Sequence, residues 1–314
     1  MEKSAFFINP LSFTVSKRGS ILQKVPDTKY TTKFVLNDFG ALPGHVKSCA
    51  KNGVDLIFIE GGDGTIQGVL TEILGQKSAF KKLPKFVLLA GGMTNLIAMQ
   101  IGIKKPTLAK IKELANAPNT ASTVSIPLVQ VEYSDNGERY YGFLFSTGAL
   151  ATATRYTVDE VHTAGINGSA AVRTTLRRAL FGGKQLRDRI LKTSPLSLDI
   201  NGENIDGAHI LSLTSTLPKP MLGFNLFWGQ GSAPVKTSYV KGGAANKVRN
   251  IARLIRSRQS NNACAKLSHD GFHSWATNKF SMFHQGPIVL DGEFLPLTDK
   301  EIFVGATPPL CFIN

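Results

Sequence analysis

The chain has 314 residues, 42% of them hydrophobic and 18% charged, with 36 Lys and Arg against 22 Asp and Glu for a formal net charge of +14. That composition excludes a disordered chain and gives enough apolar residues for two domains. Thirty scattered Gly, 15 Pro and no block repeating every 20–50 residues exclude a collagen-like chain or a solenoid.

In chain order, residues 5–8, 33–36, 54–60 and 85–90 read as strands, with helical stretches at 44–52, 66–75, 95–101 and 107–115. Strand alternating with helix predicts an α/β domain whose parallel sheet carries helices on its faces. From residue 125 the period changes to two. Residues 128–133 and 139–145 flank Asp135-Asn136-Gly137, and residues 196–200 and 208–214 flank Asn201-Gly202, two hairpin signatures. Short strands are expected within 266–283, so the second domain is predicted to be mostly antiparallel. The apolar runs 300–306 and 310–313 are expected to return to the first domain. The expected domains are therefore 1–124 with 300–314, and 125–299.

The opening residues read as a strand and not as a secretory signal. Cys49, Cys264 and Cys311 show no short paired spacing, and a reducing cytoplasm is expected. The longest apolar stretch, 86–103, is interrupted by Gly91, Gly92, Thr94, Asn95 and Gln100, unlike a membrane-spanning helix.

Charge is concentrated in two places. Residues 169–192 hold seven cations against Asp188, and residues 236–258 hold seven with no acid. In the second, Val248, Ile251, Ala252 and Ile255 recur at helical spacing, which predicts a basic amphipathic helix. Such a helix can face solvent, anionic lipid or nucleic acid phosphates.

Chemistry is concentrated after the third strand, where 54–60 runs into Gly61-Gly62-Asp63-Gly64-Thr65 and a helix. Glycines allow the backbone to approach a ligand, and a helix N-terminus offers N–H groups to phosphate oxygens. Asp63 repels phosphate directly; it suits a magnesium ion, a ribose, or a water joined to the metal. His269 and His273 flank an Asp-Gly turn without familiar zinc spacing, and no Gly-x-Ser-x-Gly elbow occurs.

At four places the chain resembles the diacylglycerol kinase catalytic family, soluble lipid kinases including sphingosine kinases, in the superfamily shared with NAD kinases. They are Asn9-Pro10, residues 61–65, the second glycine loop in 88–95, and Asp291-Gly292-Glu293 ahead of the last strands. The resemblance implies an NAD kinase-like α/β domain, a β-sandwich lipid domain, and transfer of the ATP γ-phosphate to a lipid hydroxyl. Asn9 would lie near adenosine. Gly61, Gly62, Gly64 and Thr65 would hold phosphates, Asp63 would serve magnesium, and Gly92, Thr94 and Asn95 would close the nucleotide pocket. Asp291 and Glu293 would form a general-base pair, with Glu293 accepting the proton of a diacylglycerol-like or sphingoid acceptor.

The two basic segments would then meet an anionic inner membrane surface, making the protein cytoplasmic and peripheral. Nucleic acid is not expected as a partner, and no residue argues for or against a homodimer. Phe13 stands where the family usually has Gly, Gln67-Gly68 replaces Asn-Glu, Met93 replaces Thr, and 222–238 lacks the acidic metal loop of many bacterial relatives. The changes at Phe13, Gln67-Gly68 and Met93 keep open a non-catalytic lipid- or nucleotide-binding member, and a soluble kinase similar to NAD kinases is the second alternative.

Overall fold

The computed structural model describes residues 2–117, 121–156, 183–218, 226–254 and 261–314. The chain divides into two units, Met1–Ile126 with Pro308–Asn314, and Pro127–Thr307.

The first unit begins with β1 (Ser4–Ile8), whose five residues are all buried, followed by the short helix α1 (Phe13–Arg18). Next come β2 (Thr31–Val35), α2 (Leu42–Asn52), β3 (Leu56–Gly61), α3 (Asp63–Gly75), β4 (Lys85–Ala90), α4 (Leu96–Ile101), α5 (Leu108–Asn116) and β5 (Thr123–Ile126). β1 pairs in parallel with β2 and β3, and β3 with β4. The fully buried runs of β1 and β3 suit a parallel sheet covered on both faces. On one face Phe6, Ile8, Leu56, Phe58, Val87 and Leu89 pack with Leu22, Ile111 and Leu114. The strand order β2-β1-β3-β4 places a topological switch between β1 and β3, so the crevice at their carboxyl ends is where an open α/β sheet binds ligands.

The second unit carries β6 (Val129–Tyr133), β7 (Arg139–Gly142), β8 (Leu144–Gly148), β9 (Ser194–Ile200), β10 (Glu203–Ser215), β11 (Val235–Lys241), β12 (Phe272–Thr277), β13 (Lys279–Phe283), β14 (Ile288–Leu290), β15 (Glu293–Phe294) and β16 (Glu301–Ala306). They form one continuous 11-stranded sheet whose pairs are antiparallel. Phe145 of β8, Leu198 of β9 and Val304 of β16 share one core cluster with Val129 and Tyr239, so the sheet curls its apolar face onto itself. The two expected layers are thus one curled sheet.

The two runs at the end of the chain separate. Glu301–Ala306 alternates exposed Glu301 and Phe303 with buried Ile302 and Val304, and pairs with β13 and β6 in the second unit. That period-two pattern suits an antiparallel strand with one wet face. Only β17 (Leu310–Ile313) joins the first sheet, parallel to β4 and antiparallel to β5. Residues 266–269, expected as strand, instead end the helix Asn261–His269; the strands begin after the Asp270-Gly271 turn, where Gly271 has φ +86°.

The basic helix runs from Lys247 to Leu254, with Lys236 and Lys241 in β11. Among its described side chains Asn250 and Leu254 are buried; of the expected stripe of Val248, Ile251, Ala252 and Ile255, one side chain is described. Ile251 is half-buried, and the other three side chains lie outside the described residues. A polar residue can face inward because Asn250 Nδ2 donates to Asp270 (2.8 Å), while Arg253 Nη1 donates to Asn250 Oδ1 (2.6 Å) and lies 3.9 Å from Asp270. Residues 169–182 and 255–260, with Arg173, Arg177, Arg178, Arg256 and Arg258, also fall outside the described residues.

His209 of β10 is wholly buried. Its Nδ1–H donates to Ser194 O (2.8 Å), which leaves Nε2 to accept from the Thr147 hydroxyl (2.7 Å); His284 meets its ring edge-on at 5.2 Å. Burial pushes His209 down to about 4, reinforced by His284 and opposed by the Ser194 bond. A depressed folded value means its contribution is complete above the unfolded value near 6.5 and is lost as pH falls through 4. Urea titrations should therefore show about 3 kcal/mol less stability at pH 4 than at pH 7 from this group. Equal stabilities at the two pH values would contradict the assignment.

Candidate functional site

Two glycine loops meet backbone to backbone at the carboxyl ends of β3 and β4. Gly91 N–H donates to Gly61 O (2.9 Å), which continues the strand pairing into the loops. A Cβ on Gly92 would stand 2.4 Å from Gly62 Cα, one on Gly91 2.8 Å from Gly61 N, and one on Gly61 2.6 Å from Thr65 Cβ. Side chains at Gly91 and Gly92 would push the loops apart and one at Gly61 would displace Thr65 of its own loop, which is the physical reason for glycine in both motifs.

The site residues of the first unit organise one another. Asn9 N–H donates to Glu60 O (2.9 Å), and Asn9 Nδ2 donates to Thr65 Oγ1 (2.8 Å), bridging the two sides of the switch point. Gly62 N–H donates to Ser12 Oγ (3.2 Å). Asn95, at φ 54°, accepts from Gly92 N–H (2.7 Å) and returns a bond to Gly92 O (2.9 Å). Thr14 Oγ1 also donates to Gly92 O (2.8 Å), so α1 is laid on the second loop. Phe13 opens α1, half-buried Met93 and Thr94 lie in the second loop, and buried Gln67 donates to Thr71 Oγ1 (3.3 Å).

Gly62 and Gly92 N–H groups are thus already engaged within the protein. Ile66 N–H is the first to turn back along α3, to Gly62 O (3.0 Å), which leaves Asp63, Gly64 and Thr65 N–H without intrahelical partners. Three such N–H groups at a helix N-terminus are of the kind that can receive an anion.

Asp63 bridges the two loops. Its oxygens accept from Leu96 N–H (2.9 Å) and Ile97 N–H (3.1 Å), capping α4. Burial pushes its carboxyl up, while these bonds hold it down. Among the described residues no three His, Cys, Asp or Glu cluster as a metal cage. Asp63 is the carboxylate here that would meet a magnesium ion, directly or through a water, beside substrate phosphates.

In the second unit Leu290-Asp291-Gly292-Glu293 is the tight turn between β14 and β15, with Asp291 at φ 52° and Gly292 at φ 95°. Positive φ at both central residues is the two-residue hairpin geometry favoured by Asp-Gly. Asp291 accepts from Phe143 N–H (3.0 Å) and Leu144 N–H (2.8 Å), and its own N–H donates to Leu144 O (2.8 Å). A Cβ on Gly142 would fall 2.5 Å from Asp291 Oδ2, so this anchor requires glycine beside it. Glu293 is exposed. The two carboxylates thus differ in situation: Asp291 secures the turn and Glu293 presents an accessible oxygen pair.

Residues that sequence reading passed over are Ser12, Thr14, Arg18 and Glu60. Glu60 had a visible signal, a charge ending an otherwise apolar strand. No helix among the described residues is long and apolar enough to cross a membrane.

Residues 4–126 match the family model described as the diacylglycerol kinase catalytic domain. A search of curated protein sequences finds no match. Among solved structures, a crystal structure described as a diacylglycerol kinase from Bacillus anthracis str. Sterne matches at TM-score 0.60 and 13% identity, over 99% of this chain and 96% of that one. Two further chains from that organism, to which the same activity is assigned provisionally, match at TM-scores 0.67 and 0.64. Both are 13% identical and cover 99% of this chain, with 95% and 97% of their own lengths matched. At that identity the likeness is one of fold, and it spans both units.

Proposed function

We propose that this chain, whose residues 4–126 match the diacylglycerol kinase catalytic domain, transfers the ATP γ-phosphate to a lipid hydroxyl at an anionic membrane surface. The observation that carries the reading is the pair of glycine loops in backbone contact at the switch point, beside three N–H groups at the start of α3. Phosphoryl transfer asks the protein mainly for positioning and charge stabilisation.

Asp63, Gly64 and Thr65 N–H hold phosphate oxygens, and Asn9 fixes Thr65. Asp63 keeps the second loop against the first through Leu96 and Ile97. Magnesium, when bound, supplies charge neutralisation on the phosphates. Glu293 accepts the acceptor's hydroxyl proton and Asp291 holds its turn. The acceptor is diacylglycerol-like or sphingoid. Exposed Lys184, Arg189, Lys192, Lys247 and Arg249 supply the attraction to anionic lipid, each about 1 kcal/mol near such a surface.

The test is transfer of labelled γ-phosphate from ATP with magnesium to diacylglycerol, sphingosine, ceramide and phosphatidylglycerol in anionic micelles, with NAD in a lipid-free tube. Label in an organic-phase product is expected and names the acceptor class. Label on NAD alone would replace this reading with a soluble nucleotide kinase, and ATP binding without label anywhere with a non-catalytic one.

A further inference from the structure

Glu60 is the penultimate residue of β3, one position before Gly61, and its side chain is wholly buried. Oε1 accepts from Arg18 Nη2 (2.9 Å) and Ile21 N–H (3.0 Å); Oε2 accepts from Ser20 Oγ (2.6 Å) and Leu22 N–H (3.1 Å). Arg18 is the only cation among these donors. The same Nη2 also donates to Ala90 O (3.2 Å), the last residue of β4 and the one before Gly91. One guanidinium nitrogen therefore touches the ends of both strands that launch the glycine loops.

We propose that Arg18 is a positioning residue for the nucleotide phosphates, tying the two loops together and cancelling the buried charge of Glu60 beside them. The inference rests on the nucleotide-binding reading above. A carboxylate buried next to a phosphate site repels the nucleotide through a poorly screened medium unless a cation is fixed beside it. Arg suits this place because its planar head stays charged and can make two bonds at once. The brace and the charge balance differ in what they predict. A brace alone weakens when either partner is changed, whereas charge balance gives the two changes opposite signs.

The test is ATP affinity, measured by calorimetry with magnesium on the full chain, for Arg18→Met, Glu60→Gln and the double variant. Arg18→Met should weaken binding on the order of tenfold, about the effect of 1.4 kcal/mol. Glu60→Gln should tighten binding, and the double variant should bind more tightly than Arg18→Met alone. Weakening by Glu60→Gln similar to that by Arg18→Met would overturn the charge role, and Glu60→Gln decides this even if Arg18→Met does not fold. Hydrogen exchange of peptides covering 61–65 and 91–95 gives a readout independent of ligand. Exchange should rise in both loops in Arg18→Met, or in Arg18→Lys if Met is not tolerated, with the second unit unchanged. Loops protected as in wild type would overturn the tie. If wild type bound no ATP, the functional reading would fail while the exchange result still decided the tie.

Discussion

Glu293→Gln should lower the turnover number for lipid phosphorylation by about 10²–10⁴, the usual contribution of a positioned general base, with ATP affinity and melting temperature unchanged. Gln keeps the size and the hydrogen-bonding reach of Glu but cannot take a proton. The side chain is exposed at the first position of β15, directly after a two-residue turn, so its replacement removes no packing. The fold at this point depends instead on Asp291, whose carboxylate receives Phe143 and Leu144 N–H. The diagnostic result is therefore a split: loss of turnover in the labelled-phosphate assay, with calorimetric ATP binding and thermal melting as in wild type. Turnover within threefold of wild type would remove Glu293 from the proton-accepting role.

The parts of the fold that could be read along the chain are those whose signals are local. Val54 to Thr65 combines an apolar run with a glycine loop, and it is strand, loop and helix in the structure. Asn201-Gly202 announces a turn through residues that tolerate positive φ, and both adopt it, at 53° and 80°. Thr107 accepts from Lys110 N–H and caps α5, as its residue type suggests. What stayed hidden depends on partners distant in sequence. Glu60 is bound by residues about 40 positions earlier, and Asp291 by residues nearly 150 positions earlier. Asn250 can be buried in its helix because Asp270, 20 residues later, satisfies it. Apolar spacing carries no information about such a buried acceptor. The candidate site shows the same division. Its glycines and carboxylates are visible as motifs, while the groups that orient them, Ser12, Thr14 and Arg18, sit in a segment whose expected glycine is Phe13.

Gly92→Ala should abolish measurable ATP binding, a loss of at least 100-fold, and cost about 1–3 kcal/mol of stability as an overpacked site. The added methyl would stand 2.4 Å from Gly62 Cα, a backbone atom and not the movable end of a side chain. Neither side can yield easily. Gly62 N–H is held by Ser12 and its carbonyl by Ile66 N–H, while Gly92 is held by Asn95 and Thr14. Separation of the loops would therefore strain the Asp63 bonds to Leu96 and Ile97, and with them the placement of the three N–H donors at the start of α3. Gly44→Ala provides the internal comparison. Gly44 lies within α2 with open space around its Cα, so the same methyl should leave ATP binding intact and raise stability by up to about 1 kcal/mol through helix propensity. Calorimetry with ATP and magnesium, together with urea unfolding, reads both variants. Wild-type affinity in Gly92→Ala would show that the loop contact does not shape the phosphate site, whereas opposite stability changes in the two alanine variants locate the effect in contact geometry and not in the loss of glycine.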